Sequence, residues 1–200
     1  MGSNSDERIV NRSLHDPEAF AELVDRHGED LFHYLRRRAP LDAHDLLADV
    51  WLAAFHRRHT YRRDLGEVRG WLFGIARNIV LAHLRRCAAR PEVEAPDGLE
   101  ALADTFDWAA IDQRLDRHAV LPAMRAALAR LPDTERELLV MVAWNEVTPT
   151  QAATALGIPP GTARSRLHRA RTSLRKDIEA LLAYSDSTEI ALPLKSGVTK

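Results

Sequence analysis

The side chains best suited to chemistry lie close together near the C-terminal end. Between Arg164 and Lys176 the chain carries Arg164, Arg166, Arg169, Arg171, Arg175 and Lys176 with no acidic residue, and Ser165 and His168 stand among them. Guanidinium groups pair with phosphate oxygens and with the edge of guanine, while Ser and His serve bases or phosphates. Ala163, Leu167, Ala170 and Leu174 fall at helical spacing on another face of the same segment. One face packs and the other meets an anion. A solvated face or a membrane-surface helix has a similar charge pattern, but an apolar side of Ala and Leu lacks the Trp or Phe that seats a helix at a lipid interface.

A helix that reads DNA must be held at a fixed angle, and the preceding residues supply the means. Thr148 can cap a helix with its hydroxyl, Pro149 suits the first helical position because its missing N–H needs no partner there, and Gln151 completes a capping box. Gly157 sits where a left-handed residue ends that helix, and Pro159-Pro160 forbids simple continuation. A second helix restarts near Pro160. Two short helices joined by a tight glycine-containing turn, the second one basic, describe a helix-turn-helix whose second helix enters the DNA major groove.

With 200 residues, 46% of them apolar, the chain has material for one or two small domains with cores. Its formal net charge is −1, so affinity for DNA must come from segregated charge. Cations concentrate at 36–38, 57–63 and 164–176, whereas 92–116 is acidic. No apolar run approaches a membrane span and no signal peptide is visible, so a cytoplasmic protein without membrane insertion is expected. The single Cys87 excludes an internal disulfide and any multi-cysteine zinc site. His56 with His59, or His83 with Cys87, offers only two metal ligands where stable zinc takes three or four. Phosphate loops of the Walker type, His-Glu-x-x-His and the nucleophile elbow are all missing from the sequence. No catalytic residue, metal or cofactor is expected.

Taken in order, the chain is expected to be all-α. Residues 1–17 are a polar, flexible start with Asp16-Pro17 marking helix entry. Phe20, Leu23, Val24, His27, Leu31 and Leu35 make one stripe of a helix from Glu18 to Arg38, closed by Arg36, Arg37 and Arg38 where cations favour the dipole. After Ala39-Pro40, a helix from about Asp42 to His59 turns Leu46, Leu47, Val50, Trp51, Ala54 and Phe55 inward and leaves Asp45, Ala48, Asp49 and Leu52 on its outer side. A loop over Thr60 to Gly66 leads to a helix from about Glu67 to Arg86, in which Trp71, Phe73, Arg77, Asn78 and His83 are shared between core and surface. An aromatic ring can stack on a base, Arg neutralises phosphate and Asn pairs with a base edge; the same residues equally suit a core helix. An acidic, flexible linker over 88–120 joins this body to a C-terminal one over 121–184, with helices near 113–130, 133–145, 149–156 and 160–183 and a mobile tail over 185–200.

Leu131-Pro-Asp-Thr-Glu-Arg-Glu-Leu-Leu-Val, Leu156-Gly-Ile-Pro-Pro-Gly-Thr and Arg164-Ser-Arg-Leu-His-Arg-Ala-Arg resemble the promoter-binding C-terminal domain of extracytoplasmic-function sigma factors. Asp45-Leu-Leu-Ala-Asp-Val-Trp and Gly70-Trp-Leu-Phe-Gly-Ile-Ala-Arg-Asn-Ile resemble that family's other domain, over 18–87. The resemblance implies a dissociable promoter-specificity subunit of bacterial RNA polymerase, with core polymerase (the largest-subunit coiled coil and the flap), promoter DNA and an anti-sigma factor as its partners. It implies that Asp45 and Asp49 meet the coiled coil, that Tyr61, Arg62, Arg63, Arg77 and Asn78 handle the melted minus-ten strand, and that Arg164, Ser165, His168 and Arg169 read the minus-thirty-five element. Ala48 and Ala82 depart from the family, many of whose members have Gln and Asp there. The acidic linker is open to two readings, an imitation of nucleic acid inside the polymerase or an ordinary solvated tether. A free-standing helix-turn-helix regulator would account for 131–176 while leaving the N-terminal motifs without a role.

Overall fold

A computed structural model of the chain describes residues 3–88, 126–144 and 147–189, all helix, turn or short connection with no strand among them. The linker over 88–120, apart from its first residue, the helix expected before residue 126 and the tail beyond 189 lie outside the described residues.

The polar start, expected to be flexible, carries a helix: α1, Ser3–Ser13. Eleven residues make a marginal helix alone, so tertiary contacts must hold it. Ile9 and Val10 are buried, and Asp6 receives Arg26 at 2.8 Å and lies 2.9 Å from His27 Nε2. A 3-10 turn, Pro17–Phe20, leads into α2, Ala21–Arg38, which buries Leu23, His27, Leu31 and Leu35 of the expected stripe and Tyr34 in addition. Helix α3, Ala43–Arg57, buries Leu46, Val50 and Ala54. Phe20 meets Trp51 and Phe55 edge to face, with ring centroids 6.0 and 5.3 Å apart.

Helix α4, Val68–Ala88, buries Val68, Leu72, Phe73, Ile75, Ala76 and Val80. Apolar residues lie around most of its circumference, which is the composition of a helix covered on more than one side. Helices α2 and α3 cover one side. The C-terminal body covers another.

That body comprises a helical stretch over 126–130, then α5, Asp133–Trp144, α6, Pro149–Leu156, and α7, Pro160–Glu189. The capping box forms: Gln151 N–H donates to Thr148 Oγ1 at 3.2 Å and Thr148 N–H to Gln151 Oε1 at 3.0 Å. Gly157 takes the left-handed conformation, φ 64°, and Ile158 N–H returns to Ala153 O at 3.0 Å, closing α6 before the prolines. Ala163, Leu167, Ala170, Leu174 and Ile178 of α7 pack inward. The buried core is continuous from α1 to α7, because α4 packs more extensively on α6 than on any other helix.

Replacing Thr148 by Ala removes one half of the capping box and should lower stability by about 1 kcal/mol, read as a shift of the urea midpoint without a change in slope.

Candidate functional site

The basic face of α7 is presented to solvent. Arg164, Ser165, His168 and Arg169 are all exposed, as are Arg171, Arg175 and Lys176, and Arg166 is half-buried. Leu167 and Ala170 on the opposite side hold the helix down. Ser165 Oγ donates to Thr162 O at 3.0 Å, a local bond that fixes its hydroxyl near the helix start. Arg169 lies 3.6 Å from Glu135 of α5, and its side chain stays 66% exposed. A guanidinium that open is free to exchange a carboxylate for a nucleic-acid acceptor.

The acidic face lies on α3. Asp45, in the first helical turn, and Asp49 are both exposed and one turn apart. Ala48 lies beside them, exposed, and Leu52 continues the same face at 59% exposure. A shallow groove between α3 and α4 begins at Asp49 and Leu52 and runs over Ile79 and Ala82 to Arg85. Leu41, 88% exposed just before α3, was not singled out from sequence. Its only signal was an apolar residue between Pro40 and the helix start.

The loop after α3 places its residues unequally. The Tyr61 ring leans on Trp71, centroids 5.6 Å apart, and its hydroxyl donates to Gly66 O at 3.0 Å. Burial, with Glu7 second, pushes its phenol up to about 12, so it remains a donor at any ordinary pH. Arg62 and Arg63 are exposed; Arg62 pairs with Asp64 at 2.6 Å, holding that carboxyl below its usual range, and Arg63 pairs with Glu7 at 2.9 Å. Asn78 is exposed on α4.

Arg77 is not out with Asn78. It is half-buried, with Nε 3.4 Å from Glu137 Oε2 of α5. Arg38 of α2 donates to the other oxygen of the same carboxylate and lies 5.1 Å over the Tyr34 ring. Burial, ahead of all other influences, raises the Tyr34 phenol above its ordinary value. Reading the sequence missed Glu137 and gave Arg38 only a place at a helix end. Their contact joins residues 99 apart in the chain and leaves no local pattern.

His83 Nε2 approaches Asp42 at 3.2 Å and Cys87 Sγ at 3.4 Å, while His56 and His59 are exposed. Among the described residues no group of three or more His, Cys, Asp or Glu is arranged to hold a metal ion. No helix among them is long and apolar enough to cross a membrane.

Comparison with known proteins covers both bodies. Residues 23–90 match the family model described as Sigma-70 region 2, and residues 121–174 match Sigma-70, region 4. The chain is 35% identical over 172 residues to the ECF RNA polymerase sigma factor SigM of Mycobacterium tuberculosis, covering 84% of this chain and 80% of that protein. Among solved structures it is similar to CnrH in complex with the cytosolic domain of CnrY, with TM-score 0.58, 25% identity, and coverage of 88% of this chain and 97% of that one. It also has the fold of the sigma factor RpoE solved with the anti-sigma factor NepR from Bartonella quintana, with TM-score 0.51, 21% identity, and coverage of 80% and 96%.

Reversing the charge on α3, Asp45→Arg with Asp49→Arg, touches exposed side chains and should change folding stability by no more than about 1 kcal/mol, mostly through the helix dipole at Asp45. Thermal and urea denaturation of the double variant check this; a larger loss would place these carboxylates in folding rather than on an interface.

Proposed function

The chain belongs to the extracytoplasmic-function family of RNA polymerase sigma factors, and on that premise we propose how its exposed faces share the work of bringing core polymerase to a promoter. Residues 18–87 form the body that binds core enzyme and the minus-ten element, and 121–184 the body that reads the minus-thirty-five element. Residues 88–120 tether the two, with 1–17 and 185–200 outside them. The α3 carboxylates Asp45 and Asp49 meet the basic coiled coil of the largest polymerase subunit, and Leu52 adds apolar contact beside them. The C-terminal body rests on the polymerase flap. Working beside the polymerase places the protein in the cytoplasm.

On promoter DNA, Arg164, Ser165, His168 and Arg169 enter the major groove at the minus-thirty-five element. Arg164, near the exposed start of α7, is the strongest candidate for bidentate pairing with guanine. Tyr61, Arg62, Arg63, Arg77 and Asn78 handle the melted minus-ten strand. Opening a base step costs about 1.4 kcal/mol of stacking, and aromatic and hydrogen-bonding contacts to an unpaired base offset about 1–3 kcal/mol. Capture of the open strand therefore needs no catalytic residue and no cofactor in this chain. An anti-sigma factor is a further partner, by analogy with the relative solved with NepR.

The observation that supports this assignment above others is the presence of two exposed faces of opposite sign on separate helices: an acid-free run of cations on α7 and paired carboxylates on α3. Arg164→Ala or Arg169→Ala should cost about 1–3 kcal/mol of discrimination at one minus-thirty-five position; an unchanged preference across a panel of substituted elements would remove the residue from base reading. Asn78→Ala should weaken strand opening while core-enzyme affinity stays the same. Permanganate footprinting against a core-binding assay separates the two, and equal footprints for variant and parent would exclude Asn78 from strand capture.

A further inference from the structure

Helix α1 lies outside the body assigned to core enzyme and the minus-ten element, and ahead of residues 23–90 that match Sigma-70 region 2. It is nonetheless firmly seated. Asp6 is buried between Arg26 Nη1 at 2.8 Å and His27 Nε2 at 2.9 Å, and Ile9, Val10 and Ser13 are buried with it. These anchors set the rotation of the helix, and a turn of about 100° per residue carries Glu7 to the flank of that buried stripe. The flank meets the loop after α3.

That loop, over 61–66, has little of its own to aim it. The Tyr61 hydroxyl ties its ends through Gly66 O, and Arg62 finds Asp64 two residues on, where both side chains are more than half exposed. Neither bond fixes a cation of the loop against the rest of the body. Contacts from α1 do. Arg58, stacked 3.8 Å over the Phe55 ring, donates from Nε to Ser13 O at 3.2 Å just before the loop, and within it Arg63 Nη1 lies 2.9 Å from Glu7 Oε2. The second pair is lopsided: the Glu7 side chain is 20% exposed and the Arg63 side chain 69%. The acid is held in the fold and the cation reaches outward from it. An ion pair this open adds little to folding, and a guanidinium engaged through Nη1 keeps other N–H donors for a second acceptor.

We propose that Glu7 is a positioning residue for the minus-ten site: it touches no nucleotide, and it aims Arg63 at the captured strand before that strand arrives. The proposal rests on assigning the loop to the melted minus-ten strand. A long side chain that must be ordered on binding weakens its contact by about fivefold, and one already held in place is spared that loss. Charge alone acts with the opposite sign, since removing a carboxylate beside a polyanion strengthens binding. The direction of the effect therefore separates aiming from simple repulsion.

The test uses the full chain with core polymerase, comparing the parent, Glu7→Ala, Glu7→Gln, Arg63→Ala and the Glu7→Ala/Arg63→Ala pair. The extent of promoter opening is read by permanganate on templates substituted at each minus-ten position. Core-enzyme affinity and urea midpoints are measured alongside, so that lost opening is not mistaken for lost holoenzyme or lost fold. Glu7→Ala should reduce opening about fivefold and flatten the preference at the same position as Arg63→Ala. Glu7→Gln, which keeps one acceptor oxygen, should recover part of the loss, and the double variant should open no worse than Arg63→Ala alone. Losses that add in the double variant overturn the proposal, because Glu7 then acts apart from Arg63. Unchanged or stronger opening by Glu7→Ala overturns it too, the latter making Glu7 an electrostatic brake. A parent that opens no promoter removes the sigma assignment together with this role, whereas a parent that opens normally beside additive variants removes this role alone.

Discussion

Helix α4 is buried twice, and most of the structure follows from that constraint. Its Leu72, Phe73, Ala76 and Val80 are almost fully enclosed, and its glycines admit the backbone of α6 on a further side. Exposing either side to water would strand a large apolar surface, which is why two helical bodies small enough to need every buried side chain share one continuous core. The polar groups along the seam are fewer and less well satisfied. An ion cluster of that kind contributes little net stability, since desolvation offsets attraction, yet losing one member leaves an uncompensated charge. The seam is therefore specific in register without being strong in its charged part.

The exposed faces are arranged around this shared wall. Solvent receives the carboxylates of α3 on one body and the cations of α7 on the other, each on a helix whose opposite side is fixed by buried Leu and Ala. Near-zero net charge and strong local charge coexist because the signs are sorted onto different helices. Sorting of this kind gives one chain both a surface that attracts anions and a surface that attracts cations.

Features encoded over short distances were legible in the sequence. The capping box at Thr148 and Gln151, the left-handed Gly157 and the inward set on α7 all follow from neighbours within a few turns, and all appear where their spacing places them. The stripe on α2 is equally local. Long-range pairings were not legible. The polar start over 1–17 reads as flexible, because the partners that hold its helix through Asp6, namely Arg26 and His27, lie 20 and 21 residues away. Arg77 stays open between core and surface, because nothing near it in sequence announces Glu137. The uncertain division of α4 between core and surface was itself the trace of a second covering body, since a one-sided helix would have shown a cleaner polar face.

Run-off transcription by the full chain and bacterial core polymerase on a library of promoter sequences tests the whole account most directly. The account predicts transcripts only when chain and core are both present, from templates that share one pair of spaced elements. Specific, tight recognition of the same templates by the chain alone, with no initiation when core is added, would contradict it.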